Sequence, residues 1–137
     1  MADTVEFELV APEELLFSEP VELVVVPGAE GDFGVLPGHS PLISTLRTGV
    51  IAVYENDAVN RRIFVSGGFA EVTPERCTVL ADEAVALESA NRSDVEDRVK
   101  ADREALESSA DDDKENAATK LAVSEALLLA LDTAGQA

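Results

Sequence analysis

The stretch that most constrains the fold is residues 26–41, because it holds four glycines and three prolines in sixteen residues. Glycine accepts backbone angles that other residues avoid, and proline fixes its own φ angle and lacks an amide donor. This density predicts two sharp turns on either side of a very short strand at Val35-Leu36. The stretch therefore indicates a rigid surface loop that presents chemical groups to a partner.

Three titratable side chains lie in this loop, namely the carboxylates Glu30 and Asp32 and the single histidine of the chain, His39. The loop is therefore expected to present acidic groups outward. No lysine follows the glycines, so the loop does not match the G-x-x-x-x-G-K-[ST] pattern of phosphate-binding loops. On residue type alone, acidic loop residues are more often simply solvated, and a lone histidine more often makes a local hydrogen bond.

The chain is strongly acidic, with 28 Asp and Glu against 10 Lys and Arg and a net charge of −18. Such a surface repels the phosphates of nucleic acids and anionic lipid headgroups, so we expect basic protein patches as partners instead. No run approaches the roughly 20 apolar residues that a membrane-spanning helix needs, and the first residues carry no targeting signal. The single cysteine, Cys77, cannot form an internal disulfide, which suits a reducing cytoplasm.

Residues 1–88 carry the patterns of a β domain. Val5, Phe7 and Leu9 alternate with glutamates, which is typical of a strand with one buried face. The paired glycines Gly67 and Gly68 predict a bend or bulge, where a strand turns a corner or lies against another backbone. A short apolar segment at 15–17 is expected to end at Ser18-Glu19-Pro20. Together these patterns predict a β-sandwich or flattened barrel, with strands over residues 4–10, 21–26, 49–54, 62–65, 69–73, 76–81 and 83–87.

Residues 89–137 change to helical patterns. Ser93 and Glu96 have the spacing of a capping box, in which two side chains satisfy free amides at the start of a helix. We predict a first helix from there to about Glu107, a polar break over residues 108–113, and a second, Ala- and Leu-rich helix over residues 116–131. The chain is therefore predicted to have a β domain, 1–88, and an antiparallel two-helix hairpin, 89–137.

Two kinds of function can be weighed on the residues alone. Cys77 and His39 would be the nucleophile and base of an enzyme, but Cys77 lies in an apolar strand, where an inert buried thiol is the better interpretation. One histidine and one cysteine offer no metal-ligand cluster. The alternative is an acidic binding module that captures a basic protein, which explains the charge but not the ordered glycine motifs.

Three stretches, taken in order, resemble one family. They are Val26-Pro-Gly-x-x-Gly-x-Phe-Gly-Val-Leu-Pro-Gly-His-Ser-Pro-Leu, Val65-Ser-Gly-Gly-Phe-Ala-Glu-Val and Thr78-Val-Leu-Ala-Asp-Glu-Ala. With the change from strands to helices, they make the chain similar to the epsilon subunit of bacterial F-type ATP synthases. The resemblance implies a non-catalytic rotor subunit, held peripherally at the cytoplasmic face of the bacterial inner membrane.

The resemblance also implies two partners for the β-sandwich. In that family the sandwich binds the γ subunit on one side and the polar loops of the membrane c-ring on the other. It thereby links the rotation of the ring to the shaft that drives the catalytic subunits. The resemblance places Glu30 and Asp32 in the loop that meets the c-ring, whose exposed loops carry arginine, and it places His39 against γ.

The hairpin departs from the family pattern at a nucleotide site. Members that bind ATP carry Asp-x-x-Arg-Ala at the start of the first helix, whereas here Asp94 is followed by Arg98 one position late and without the alanine. One residue turns a helix by about 100°, so we expect the guanidinium to leave the face that Asp94 uses. We therefore expect no bound cofactor. If a regulatory ATP did bind, Asp94 and Arg98 are the two residues that the resemblance assigns to it.

The hairpin departs a second time in its charge. Inhibitory members often place basic residues on the terminal helix, which meet acidic segments of the catalytic α and β subunits. Here only Lys114 and Lys120 are available, and acidic residues surround them. Like charges repel, so we expect the hairpin to inhibit ATP hydrolysis weakly or not at all.

Overall fold

Strands come first along the chain and helices follow, as the change of pattern near residue 88 predicts. The computed structural model describes residues 4–12 and 14–134. The strands are β1 Val5–Ala11, β2 Glu14–Val21, β3 Leu23–Gly28, β4 Gly31–Val35, β5 Leu42–Thr45, β6 Gly49–Glu55, β7 Ala58–Val72 and β8 Arg76–Ala86. The helices are α1 Arg92–Ser108 and α2 Lys114–Ala134. The chain separates into two compact units after Glu88.

The strands form one hydrogen-bonded sheet that folds over into a sandwich. Its order is β2-β1-β8-β7-β6-β3-β4, and β5 pairs with β7 outside this path. Strands β1 and β8 run parallel, whereas the other pairs are antiparallel. The long strand β7 pairs with β6 through its first half and with β5 through its second half, so one strand belongs to both layers. The predicted fold class, a β-sandwich followed by two helices, is confirmed.

Inward-facing side chains of both layers form one hydrophobic core. Val5, Phe7 and Leu9 on β1 are at most 1 % exposed, which confirms the alternating pattern of that strand. Phe17 on β2 lies against Phe7 with ring centroids 5.2 Å apart, a separation that aromatic pairs favour. Full burial of each such side chain stabilises the fold by about 1.5–3 kcal/mol.

The Gly67-Gly68 pair lies where β7 changes partners from β6 to β5. Both residues have positive φ angles, 72° and 98°. A Cβ atom on Gly68 would lie 1.9 Å from the carbonyl oxygen of Leu80 on β8. The backbone of β7 therefore passes its neighbour at a distance that only glycine permits, and the predicted corner is confirmed.

The prediction that Ser18-Glu19-Pro20 breaks a strand is wrong. Strand β2 runs through these residues to Val21 and pairs Pro20 with Glu6. It lies at one edge of the sheet, and an edge strand accepts proline because one side of it makes no ladder bonds.

The predicted capping box is also wrong. Asn91 is the N-cap of α1, and its side-chain oxygen accepts a hydrogen bond from the Asp94 amide at 3.2 Å. Asparagine caps a helix as well as serine does, so the helix begins at Arg92, ahead of the predicted cap. Ser93 and Glu96 lie inside the helix, where the Glu96 carboxylate is 3.7 Å from the Arg92 guanidinium.

The two helices run antiparallel. Arg92 at the start of α1 pairs with Asp132 near the end of α2, and Arg103 pairs with Glu125 at 3.3 Å. Exposed pairs of this kind contribute less than about 1 kcal/mol each. Within the described ranges, no helix is both long and apolar enough to cross a bilayer. The buried apolar residues of the two helices are Val95, Val99, Ala117 and Leu127.

Candidate functional site

The predicted acidic loop is the turn between β3 and β4. Glu30 lies at its tip and is exposed. Strand β4 begins at Gly31, earlier than the short strand predicted at Val35-Leu36, because residues 31–35 pair with β3 along its length. Asp32 therefore lies in the strand, opposite Pro27, rather than in the turn itself.

Arg47, which follows β5, braces this turn. Its guanidinium donates hydrogen bonds to the carbonyl oxygen of Gly28 at 2.6 Å and to the carboxylate of Asp32. Its backbone amide donates to the carbonyl oxygen of Pro27 at 3.0 Å. Sequence reasoning missed Arg47 because it lies 15 residues beyond Asp32, a spacing that no local pattern connects.

The two carboxylates of the loop differ in their surroundings. Asp32 forms an ion pair with Arg47, although its side chain stays 58 % exposed. Glu30 makes no hydrogen bond and no ion pair with any residue in the ranges 4–12 and 14–134. Glu30 is therefore the carboxylate of this turn that is available to a partner.

His39 precedes β5, whereas Arg47 and the β3–β4 turn lie at the end of that strand. Its Nδ1 atom is 2.7 Å from the carbonyl oxygen of Ser40, and its ring is partly buried. The preceding Gly38 amide donates to the carbonyl oxygen of Pro74, in the turn between β7 and β8, at 2.7 Å. The four residues of β5 span about 13 Å of extended chain, so the structure separates His39 from Glu30.

Cys77 is buried in the core, where it is inert. It is 0 % exposed, and burial raises the pKa of the Cys77 thiol from 9.0 to about 12. The thiolate is the reactive form of cysteine, so this side chain supplies no nucleophile at neutral pH.

The buried thiol predicts a loss of stability at alkaline pH. Between pH 9 and pH 12 the unfolded chain releases the Cys77 proton while the folded chain keeps it, so the free energy of unfolding falls as pH rises. At pH 10 this loss amounts to about 1 kcal/mol. Urea denaturation of the wild type and of Cys77→Ala at pH 8 and pH 10 measures it. The stability difference between the two proteins should shrink at pH 10, and a constant difference would contradict the expectation.

Asp94 and Arg98, the residues that a regulatory ATP would use, lie four positions apart on α1. Positions four apart lie on the same side of a helix, so the expected separation of the two side chains onto different faces is wrong. The Arg98 guanidinium lies 3.9 Å from the Asp102 carboxylate. The absence of a nucleotide site stays a prediction. Among the described residues, no group of three or more His, Cys, Asp or Glu could hold a metal ion.

Comparison with known sequences identifies the family. Residues 4–87 match the family model described as the beta-sandwich domain of the ATP synthase Delta/Epsilon chain. The ATP synthase epsilon chain of Rhodospirillum rubrum is 58 % identical over 131 residues, covering 95 % of this chain and 98 % of that one. The ATP synthase epsilon chain of Rhodospirillum centenum is 64 % identical over 96 residues, covering 69 % of this chain and 66 % of that one.

Comparison with solved structures gives the same result. A chain of the Euglena gracilis mitochondrial ATP synthase, solved as OSCP/F1/c-ring in rotational state 1, superposes with a TM-score of 0.77 at 27 % identity. The match covers 96 % of this chain and 83 % of that chain. A second match is a chain of the Tetrahymena thermophila mitochondrial ATP synthase, solved as central stalk and c-ring, with a TM-score of 0.50 at 12 % identity. It covers 62 % of this chain and 68 % of that chain, and at this identity it shows the fold alone. The chain belongs to the family of ATP synthase epsilon chains, which are non-catalytic accessory subunits of the complex, as the three ordered stretches indicated.

Proposed function

We propose that the chain is a central-stalk subunit of a proton-translocating ATP synthase that links the γ subunit to the c-ring. It is peripheral to the membrane, at the cytoplasmic face of the bacterial inner membrane, and has no active site of its own. The observation that carries this proposal is that one rigid sandwich presents two chemically different surfaces. One is an exposed apolar face, and the other is the acidic tip of the β3–β4 hairpin.

The apolar face is a row of side chains across one layer of the sandwich. Phe69, Leu80, Val10 and Leu15 lie opposite one another on β7, β8, β1 and β2, and Thr45 on β5 pairs with Phe69 as the polar end of this series. We call these five residues the apolar row. Phe69 is 42 %, Leu80 38 % and Leu15 58 % exposed. Contiguous exposed apolar side chains mark a protein interface, and they stand out on a chain with a net charge of −18. We assign this row to γ.

His39 lies beside the same face. Ile43 on β5 is 69 % exposed. It pairs with Glu71, which lies two residues from Phe69 along β7 and therefore on the same face of that strand. Ile43 continues the exposed apolar surface toward the start of β5, which His39 closely precedes. A partner that covers the apolar row and Ile43 would therefore meet His39, which supports the assignment of this histidine to the γ contact.

The β3–β4 turn supports an electrostatic contact, in contrast to the apolar contact of the row. Glu30 is exposed, and Asp32 follows it on the same hairpin. Arginine pairs with carboxylates through charge-assisted hydrogen bonds, which are stronger than neutral ones. His39 lies at the opposite end of β5 from this turn, whereas Thr45 of the apolar row accepts a hydrogen bond from the Ala29 amide in the turn, so the two proposed surfaces adjoin at Thr45. We assign the turn that carries Glu30 and Asp32 to the c-ring contact.

Affinity purification of the tagged chain from gently solubilised native membranes tests the proposal. We expect γ, the catalytic ring and the c-ring to co-purify with it in fixed proportion. If the chain is recovered alone, or with an unrelated basic protein, the alternative of an acidic module that captures a basic partner replaces the rotor assignment.

For the hairpin we propose a weak inhibitory effect on ATP hydrolysis, or none. Lys114 and Lys120 are the lysines of α2, and Lys114 donates to the Ser109 carbonyl oxygen at 3.3 Å. Arg92 and Arg103 of α1 are paired with acidic side chains of α2. Docking on acidic segments of α and β subunits needs unpaired positive charge. Among the described residues of the hairpin, Lys100 and Lys120 make no ion pair, and acidic residues outnumber the basic ones there.

Removal of residues 90–137 is therefore expected to leave the ATP hydrolysis rate of the whole complex nearly unchanged. A change of less than about twofold corresponds to under about 0.5 kcal/mol in the activation free energy. The rates of complexes purified with the full-length and the shortened chain give the comparison, with equal γ and c-ring content as the control. A severalfold rise on removal would contradict the proposal.

A further inference from the structure

We propose that Arg47 is a positioning residue that presets the β3–β4 turn, so that Glu30 rather than Asp32 is the carboxylate offered to a cationic partner. The inference rests on the proposed c-ring contact at this turn. It adds which of the two carboxylates engages the partner and what holds that carboxylate in place.

Arg47 adds side-chain bonds to a turn that contains one conformationally free glycine. Gly28 and Gly31 flank it, and Gly31 has a φ angle of 140° with open space around it. Gly31 can therefore adopt other backbone conformations, whereas Gly28 is packed closely against the Gly31 carbonyl oxygen and the Phe33 ring. Arg47 restricts that freedom through its bonds to Gly28 and Asp32, one on each strand of the hairpin. The Ala29 amide is fixed on the same side by its hydrogen bond to the Thr45 carbonyl oxygen at 2.8 Å.

The charge of Arg47 also separates the roles of the two carboxylates. A guanidinium from a partner that approached Asp32 would have to share it with Arg47, and the two positive charges repel each other. Glu30 has no partner among the described residues, so a guanidinium meets no competitor there. The Arg47 and Asp32 side chains are 44 % and 58 % exposed, and ion pairs this exposed add little to stability. We therefore assign the pair to orientation of the turn.

Amide hydrogen exchange on the free full-length chain tests the brace. Arg47→Ala is expected to accelerate exchange of the Ala29 amide about tenfold, because the turn opens more often. Arg47→Lys keeps the charge without the two-pronged guanidinium and should give an intermediate rate. The Thr73 amide, which donates to the Arg76 carbonyl oxygen at 2.8 Å in the β7–β8 turn, is the internal control. An unchanged Ala29 rate in Arg47→Ala overturns the inference.

Affinity for complexes that lack this subunit tests the consequence. In the wild type, Glu30→Gln should weaken binding roughly threefold to fivefold and Asp32→Asn less than about twofold, as expected for exposed charges at low salt. In the Arg47→Ala background, the Glu30→Gln effect should fall below about 1.5-fold, because the carboxylate is no longer oriented. Arg47→Lys should restore part of it.

The outcomes separate the two proposals. If Arg47 only stabilised the fold, Arg47→Ala would weaken binding by one common factor and the Glu30→Gln ratio would be the same in both backgrounds, which overturns the inference. If Ala29 exchange accelerates but neither Glu30→Gln nor Asp32→Asn weakens binding, the c-ring contact at this turn is refuted, while the hold of Arg47 on the turn is established. If Asp32→Asn weakens binding and Glu30→Gln does not, the contact stands and the choice of Glu30 is overturned.

Discussion

Gly68→Ala is expected to unfold the sandwich, or to lower its free energy of unfolding by more than about 4 kcal/mol. The added Cβ atom would lie 1.9 Å from the Leu80 carbonyl oxygen and 2.9 Å from the Cα atom of Ala81. Both are backbone atoms of β8, which pairs with β7 on each side of this position. They cannot retreat without breaking the ladder between the two central strands, and the φ angle of 98° adds its own strain.

Gly38→Ala is the matched control. Gly38 also has a positive φ angle, 85°, but a Cβ atom there would meet nothing within 4 Å. This substitution carries the conformational strain without the clash and should cost about 1–2 kcal/mol. Urea denaturation followed by fluorescence of Tyr54, the single tyrosine of a chain without tryptophan, reports on the sandwich. Equal losses in the two variants would show that close approach to β8 does not matter.

Phe69→Ser is expected to weaken association of the chain with γ by about a hundredfold while leaving the chain folded. Aromatic side chains at the centre of an interface commonly contribute 2 kcal/mol or more, and about 2.7 kcal/mol corresponds to a hundredfold change in affinity. Phe69 lies between Thr45 and Leu80 in the apolar row. Because its side chain is only 42 % exposed, its removal should also lower the free energy of unfolding, by about 1–2 kcal/mol, which is too little to unfold the sandwich.

Leu129→Ser removes an equally prominent apolar side chain from a different surface. Leu129 lies on α2 and is 66 % exposed, so the proposal predicts no change in affinity for γ. Titration of each variant onto complexes that lack this subunit gives the dissociation constants. Wild-type affinity of Phe69→Ser, or equal losses in the two variants, would remove the apolar row from the interface.

Local patterns were sufficient wherever the structure depends on neighbours in the chain. The alternation in β1 and the Gly67-Gly68 corner follow from side-chain period and backbone freedom, which short stretches encode. The start of α1 was misplaced because Asn91 and Ser93 are both good caps, and the choice between them depends on where the preceding chain ends.

Features that depend on the order of strands were not predictable from local patterns. The strand through Pro20 is tolerated only because β2 is an edge strand, and edge position is a property of the whole sheet. The brace from Arg47 to Asp32 joins residues 15 positions apart. The apolar row draws its members from five strands, so it appears only once their register is known. The assignment of γ and the c-ring came from the resemblance, since no pattern in the residues names a partner.

The sharing of β7 between both layers bears on how the sandwich carries mechanical load. If γ binds at Phe69 and the c-ring binds at the β3–β4 tip, as proposed, force enters the sandwich on the second half of β7 and leaves at that tip. The first half of β7 connects to that tip through β6 and β3. The load therefore passes along peptide bonds and ladders of hydrogen bonds, and not through sliding contacts between two separate sheets. Such a path resists shear better than side-chain packing between two separate sheets would, which favours transmission of torque through the sandwich.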